Sequence, residues 1–221
     1  MSFNPTWMSG PHPYKSNYIQ YFLDNTPSNW VIIVDRNHIY PPTEEGATAF
    51  RTNLDVARNS ILAVCQAWPN NPRVWVEMGN EYVSNDFHTI FQGLIDDVRE
   101  AGYSNTLVID KWNTAWSTAV FDDPYDSIYV GMHFYFNSWS VSGAISQMRT
   151  AQSLGLKLVN TEVGADYNEA SAFTTSTVAE LNSFLSQCAE LGIANTVWMN
   201  ENLDNWQRYQ ELGLTFPQPS L

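Results

Sequence analysis

The sequence is poor in charge, and the charge it carries is mostly of one sign. Only 15% of its 221 residues are charged, with 10 basic against 23 acidic side chains and a formal net charge of −13. A protein that binds nucleic acid needs a cluster of Lys and Arg to displace counterions from the phosphates, so this balance excludes a nucleic-acid partner. It equally excludes anionic membrane surfaces and polyanionic substrates, and it is compatible with a neutral polymer.

Long apolar runs and a targeting segment are lacking as well. The run Val31-Ile32-Ile33-Val34 is far shorter than the roughly 20 residues that cross a bilayer, so no membrane partner is predicted. The first residues, Met1-Ser2-Phe3-Asn4-Pro5, do not place an apolar segment after a basic one, so no signal peptide is predicted in this chain. The two cysteines, Cys65 and Cys188, have no metal or redox spacing and fall in predicted helices, which indicates buried free thiols.

The pattern that is present alternates short β-branched runs with amphipathic stretches, which is typical of βα units on a parallel sheet. Six strands are predicted, at Val31–Asp35, Val74–Met78, Thr106–Asp110, Ile128–His133, Leu156–Thr161 and Thr196–Met199. Helices are predicted at roughly Tyr14–Asp24, Glu45–Ala67, Asp86–Ala101, Ser142–Leu154 and Phe173–Leu191. No linker or low-complexity segment divides the chain, so residues 1–221 are predicted to form a single domain. The predicted fold class is α/β, of the (β/α)8 TIM-barrel type, with two of the eight strands unaccounted for.

Two glutamates lie just after predicted strands: Val74–Met78 runs into Gly79-Asn80-Glu81, and Leu156–Thr161 runs into Glu162. In parallel α/β barrels the carboxyl ends of the strands form the rim where active sites are built. Two carboxyl groups facing each other across a sugar suffice for glycosidic hydrolysis, and a separation of about 5–5.5 Å signals retention of configuration. The alternative is that each carboxylate merely stabilises a strand end.

The residues around Glu81 resemble strand four of the clan A glycoside hydrolases, and family 5 in particular, the family of cellulases and β-mannanases. The resemblance rests on the run Pro72-Arg73-Val74-Trp75-Val76-Glu77-Met78-Gly79-Asn80-Glu81, an apolar strand that ends in Asn-Glu. It implies that Glu81 is the catalytic acid/base and that Asn80 binds the 2-hydroxyl of the sugar.

Three further motifs follow in the family's order, and the resemblance covers about residues 27–200. Val130-Gly131-Met132-His133-Phe134-Tyr135 is similar to strand six, which implies that His133 contacts substrate and Tyr135 hydrogen-bonds the nucleophile. Lys157-Leu158-Val159-Asn160-Thr161-Glu162-Val163-Gly164-Ala165 is similar to strand seven, which makes Glu162 the nucleophile. Trp198 matches the strand-eight tryptophan that forms a stacking floor for the sugar.

The likeness departs from the family at its early strands. Strand three of the family ends Asp-x-His, whereas here Asp35 is followed by Arg36-Asn37-His38, so either Asn37 or His38 faces the site. The strand-two arginine that supports the nucleophile has no match. The barrel is therefore predicted to be small or incomplete at strands one and two.

Aromatic residues are numerous, with nine Trp and eleven Tyr. Sugar rings stack on aromatic faces, so Trp112 and Trp116, which follow a predicted strand, are candidate substrate contacts; packing in the core is the alternative.

The function predicted from these features is a retaining β-glycoside hydrolase acting on a β-linked polysaccharide or oligosaccharide, most of all an endo-β-1,4-glucanase. β-Mannanase or another β-glycanase of the clan is the first alternative. The second, of another class, is a truncated and catalytically impaired barrel that binds glycan or self-associates through open sheet edges. No metal or cofactor is predicted, and secretion is inferred from the function alone.

Overall fold

Short strands alternate with helices along the whole described chain. The structure, a computed structural model, describes residues 14–35, 43–110, 116–166, 172–197 and 203–215. Its strands are β1 (Ile32–Asp35), β2 (Val74–Glu77), β3 (Leu107–Asp110), β4 (Ile128–Tyr135), β5 (Leu158–Gly164) and β6 (Ala194–Val197). Its helices are α1 (Tyr14–Asn25), α2 (Glu44–Thr52), α3 (Leu54–Ala67), α4 (Phe87–Glu100), α5 (Val141–Ser153), α6 (Thr175–Glu190) and α7 (Leu203–Glu211), with a short 3-10 helix at Trp116–Ala119.

The strands follow their chain order in the sheet, β1-β2-β3-β4-β5-β6. The pairs β1/β2, β2/β3 and β5/β6 are parallel, and in the first of them Ile32 pairs with Val74 and Asp35 with Glu77. All four residues of β1 and all seven of β5 are buried. Burial of consecutive residues on both faces is what a parallel strand covered by helices requires, and it explains the continuous apolar runs in the sequence.

The chain forms two compact units, Met1–Val130 and Gly131–Leu221. The first holds α1 to α4, β1 to β3 and the first residues of β4; the second holds the rest of β4, with β5, β6 and α5 to α7. The single domain inferred from the sequence stays a prediction.

The helix expected at Glu45–Ala67 is two helices, α2 and α3, that meet at Asn53. The side-chain amide of Asn53 donates to the carbonyl of Ala49 at 2.8 Å, and its backbone has φ −110° and ψ 25°, outside the helical range. Short polar side chains that bond to nearby backbone compete with the helical ladder, and here that competition ends one helix and begins the next.

The other predicted helices are confirmed to within a residue or two. Gly102, Gly155 and Gly192 follow three of these helices with φ of +86°, +80° and +69°, the left-handed conformation in which glycine commonly ends a helix. Helix α7 was not predicted, because it is short and polar and only Tyr209 of its described side chains is buried.

Cys65 and Cys188 are both free and fully buried, as predicted. None of the described helices combines the length and the apolar character that crossing a membrane would demand.

Candidate active site

Glu162 lies inside strand β5 and is held by a tyrosine and a histidine of β4. The hydroxyl of Tyr135 donates to Oε2 of Glu162 at 2.6 Å, and Nδ1 of His133 lies 3.6 Å from the same oxygen. His133 and Tyr135 are two residues apart on a strand, so their side chains point to the same face. The side chains of Glu162 and His133 are 12% and 6% exposed, which places this carboxylate in a mostly desolvated setting.

A register irregularity in β5 brings two successive side chains to the same histidine. Pairing with β6 shifts between Asn160 and Val163, the segment that contains Thr161 and Glu162. The hydroxyl of Thr161 lies 3.1 Å from Nε2 of His133, while Glu162 is near its Nδ1. Regular alternation would send these two neighbours to opposite faces, so the irregularity re-aims one of them. Thr161 was not singled out from the sequence, because its partner lies 28 residues away.

Gly164 sits where a larger residue would press on Tyr135. A Cβ at this position would lie 3.0 Å from Cδ1 and 3.1 Å from Cε1 of the Tyr135 ring, and 3.3 Å from the hydroxyl of Tyr209. That hydroxyl also accepts a hydrogen bond from the backbone N–H of Ala165 at 3.0 Å. The glycine of the strand-seven motif is thus explained by close packing on the tyrosine that holds Glu162.

Glu81 lies in the loop that follows β2, in the first unit. The backbone N–H of Met78 still bonds to the carbonyl of Val108, so the ladder to β3 continues one residue past the strand. Gly79 then passes close to two rings: a Cβ there would lie 3.2 Å from both Phe50 and Phe91. A side chain here would require these rings to move by a few tenths of an ångström, and Asn80 and Glu81 come directly after this glycine.

Asn80 and Glu81 each carry an unusual feature. Oδ1 of Asn80 is buried and has no hydrogen-bond partner among the described residues. Glu81 is half-buried and has φ +48°, in the left-handed region that L side chains rarely adopt. The other described residues of this kind, apart from glycines, are Asn70 and Asp126, whose side-chain types tolerate that region.

Three further carboxyl groups are buried at the carboxyl ends of β1, β2 and β3, those of Asp35, Glu77 and Asp110, with exposures of 1%, 2% and 1%. A carboxylate oxygen of Glu77 lies within 4.8 Å of one of Asp110. Asp110 was not singled out from the sequence, because it ends an otherwise apolar strand.

The remaining predicted contacts are only partly within the described residues. Trp116 begins the 3-10 helix and is 5% exposed, so most of its surface is packed against protein. Asn37, His38, Trp112 and Trp198 lie outside the described residues.

The comparison with protein families supplies the class of protein. The model of the cellulase family, glycosyl hydrolase family 5, matches residues 14–204, which is most of the chain. The protein belongs to glycosyl hydrolase family 5. The resemblance noted in the sequence is therefore confirmed. Among curated protein sequences none matches this chain.

Solved structures with the same fold include cellulases and mannanases. A thermostable, halotolerant family 5 cellulase from an Icelandic hot spring isolate is 18% identical, with 96% of this chain and 77% of that chain covered and a TM-score of 0.65. The mannanase catalytic domain from Streptomyces sp. SirexAA-E is 17% identical, with 91% and 67% covered and a TM-score of 0.65. A broad-specificity endoglucanase from an uncultured bovine rumen ciliate is 16% identical, with 90% and 69% covered and a TM-score of 0.67.

At these identities the structures establish the fold. The (β/α) barrel class is confirmed, and so is the prediction of an incomplete barrel, since the described residues contain six strands where a complete (β/α)8 barrel has eight. A glycoside hydrolase of the family 5 type is established with it.

Proposed function

We propose that this protein is a retaining β-glycoside hydrolase in which Glu162 is the nucleophile and Glu81 the acid/base, and that it cleaves β-1,4-glucan within the chain. The observation that supports this most directly is the 2.6 Å hydrogen bond from Tyr135 to Oε2 of Glu162. A short bond from a neutral donor orients a carboxylate without neutralising it, which is what an attacking group needs.

The reaction runs in two displacements. Glu162 attacks the anomeric carbon as the glycosidic C–O bond breaks, and Glu81 gives its proton to the departing oxygen. Water then attacks the glycosyl–enzyme ester, its proton passes to Glu81, and Glu162 is released as carboxylate. Tyr135 and His133 both contact Oε2, so attack is expected through Oε1 of Glu162.

Substrate contacts are proposed around these two groups. The buried Oδ1 of Asn80 is an acceptor suited to the 2-hydroxyl of the sugar, since a buried carbonyl oxygen without a partner costs free energy until a donor reaches it. His133 is proposed to contact the same sugar, and Trp198 to stack beneath it. Asn37 or His38, Trp112 and Trp116 remain proposals for more distant contacts.

The polymer is proposed to be neutral and β-linked. The net charge of −13 disfavours acidic polysaccharides. Glucan is preferred because the matching family model is that of cellulases; mannan is the alternative, since mannanases, one in complex with mannohexaose, stand among the similar structures. Reducing-sugar release from soluble glucan, mannan and xylan separates these polymers. Secretion is proposed with the substrate, because such polymers are extracellular.

Azide provides a test that assigns both glutamates. Glu162→Ala should lose nearly all hydrolysis, and azide should restore cleavage of a dinitrophenyl β-glycoside with formation of the α-glycosyl azide, because azide attacks in place of the missing carboxylate. Glu81→Ala should form the covalent intermediate from the same substrate, and azide should release it as the β-glycosyl azide. Glu190→Ala, an exposed glutamate at the end of α6, is the matched control and should behave like the parent.

The anomeric configuration of the glycosyl azide formed by each variant tests the two assignments. The same azide anomer from both variants, or parental activity in Glu162→Ala, contradicts the assignment. A parent that binds glycan or sediments as an oligomer without any turnover supports instead the non-catalytic alternative, a glycan-binding or self-associating barrel.

A further inference from the structure

One arginine connects helix α2 to the loop that carries Glu81. On the helix side, Nη2 of Arg51 donates to Oε1 of Glu44 and to Oγ1 of Thr48, both at 2.8 Å. On the loop side, Nη1 lies 3.2 Å from the hydroxyl of Tyr82 and 3.0 Å from that of Ser84. It also lies 3.1 Å from Oδ2 of Asp86.

The loop side of this network is also packed against aromatic rings. The ring of Tyr82 is 5% exposed and meets Phe50 and Phe91 edge to face, with centroids 5.3 and 5.5 Å away. Its hydroxyl donates to Oδ1 of Asp86 at 2.8 Å. Burial alone would raise the pKa of Asp86, but hydrogen bonds from Tyr82 and Ser84 and the nearby charge of Arg51 outweigh it and lower that pKa.

Glu81 is the residue immediately before Tyr82, and its left-handed backbone requires such support. A non-glycine residue at φ +48° is strained, and it persists only where the surrounding structure holds it. Gly79, packed between Phe50 and Phe91, fixes the loop before Glu81, and Tyr82 fixes it after. Arg51 joins that second anchor to α2.

We propose that Arg51 is a positioning residue for the acid/base: by binding Tyr82, Ser84 and Asp86 it fixes the backbone, and so the carboxyl group, of Glu81. This inference rests on the proposed role of Glu81. Arg51 is not the supporting arginine of the family's strand two, because it lies in a helix and acts on the other glutamate. The planar guanidinium suits the task, since its two terminal nitrogens serve the helix and the loop separately.

The test uses aryl β-glycosides whose leaving groups differ in acidity. Dinitrophenol leaves without a proton, whereas phenol requires one from the acid. Arg51→Met removes the charge and every donor. It should lower kcat/KM for the phenyl glycoside by about 10- to 100-fold, the loss expected from a misplaced catalytic group, and leave that for the dinitrophenyl glycoside unchanged. The fall of activity at high pH, which reports the acid, should also move.

Arg58→Met is the matched control. Arg58 is 36% exposed against 29% for Arg51, and it also joins two elements, through Asp55 of its own helix α3 and Asp97 of α4. It does not contact the loop of Glu81 in the described structure. Arg58→Met should lose about as much stability as Arg51→Met, and its kcat/KM should not depend on the leaving group. If both variants show the same dependence of kcat/KM on the leaving group, the effect comes from helix packing and the proposal is overturned.

Two further variants keep the proposal testable if Arg51→Met does not fold. Tyr82→Phe keeps the ring and removes the hydroxyl that Asp86 and Arg51 contact. Arg51→Lys keeps the charge, but a single ammonium group can bind either helix α2 or the loop, not both. Both should show the leaving-group dependence in weaker form. In a Glu81→Ala background, Arg51→Met should cost nothing more with a nitrophenyl glycoside, because a residue that acts through Glu81 has nothing left to position.

The acid/base role of Glu81 and the positioning role of Arg51 can be refuted independently. If Glu81→Ala itself shows no dependence on the leaving group, the proposed acid/base is wrong. If Glu81→Ala shows it and the folded variants of Arg51 and Tyr82 do not, or if they lose activity equally on all leaving groups, Glu81 keeps its role and the positioning role of Arg51 is refuted.

Discussion

Replacing Gly164 by alanine should damage the nucleophile without touching it. The added methyl would lie 3.0 Å from the ring of Tyr135 and 3.3 Å from the hydroxyl of Tyr209, whereas relaxed carbon contacts need about 3.5–4.0 Å. The backbone of Gly164 has no positive φ, so the cost is steric alone. Because Tyr209 is fully buried and stacks on Phe173 at 4.4 Å, the Tyr135 ring is the part that must move.

The expected magnitude follows from that displacement. A shift of about half an ångström in the ring stretches the 2.6 Å bond from Tyr135 to Glu162 and lets the carboxylate rotate. Overpacking of this kind costs about 1–3 kcal/mol of folding free energy, and in a domain of this size each kcal/mol lowers Tm by about 2–4 °C. Misplacing an attacking group should lower kcat/KM by about 10- to 100-fold.

The assay is kcat/KM for a dinitrophenyl β-glycoside, which needs the nucleophile but no acid, together with thermal unfolding. Gly93→Ala in α4 is the control, since its Cβ would meet nothing within 4 Å and alanine favours a helix. Tyr135→Phe combined with Gly164→Ala completes a cycle in which the two losses should not add. Additive losses, or a stable and fully active Gly164→Ala variant, would refute the argument that the glycine serves Tyr135.

Two further predictions concern buried groups. Burial raises the pKa of the Cys65 and Cys188 thiols to about 12, so a thiol reagent at pH 8 should label neither in the native protein and both in denaturant; rapid native labelling of either would contradict this. Burial alone would raise the pKa of Asp123, but its hydrogen bonds and the charge of Arg99 lower it, so its stabilisation is present above the unfolded value of about 4 and is lost as pH falls through the folded value. Asp123→Asn, which leaves Arg99 buried at 6% exposure, should cost about 3–5 kcal/mol at pH 7 and less at pH 3 in urea titrations; a cost independent of pH would show that the ion pair is not its source.

Local sequence was sufficient for the parts of the site that lie on one strand. The runs ending in Asn80-Glu81, in Tyr135 and around Glu162 are continuous, and the apolar residues in each predict a buried strand. Their roles stay proposals, but the bond between Tyr135 and Glu162 lies where the motifs indicated. The strands were predicted for the same reason. At β4 and β5 the carboxyl ends lie two and three residues beyond the predicted ones, because these strands continue into the motifs.

The features that the sequence did not predict depend mainly on contacts between residues that lie far apart along the chain. Arg51 contacts side chains 31 to 35 residues further along, and no periodicity within α2 distinguishes it from an ordinary surface arginine. The helix break at Asn53, whose side-chain amide donates to the carbonyl of Ala49, interrupts a favourable helical pattern. Helix α7 is short and polar, and its buried Tyr209 contacts Phe173 and Ala165, which lie far from it along the chain.

The left-handed backbone of Glu81 sets two kinds of selection against each other. Glycine at this position would relax the backbone by about 1–2 kcal/mol, and asparagine would also be better tolerated there than glutamate. A library screened only for resistance to heat should therefore enrich replacements of Glu81, the residue to which the proposed chemistry assigns the proton. A replacement of Glu81 that raises Tm would also abolish the proposed turnover, so selection for heat resistance must be paired with selection for turnover.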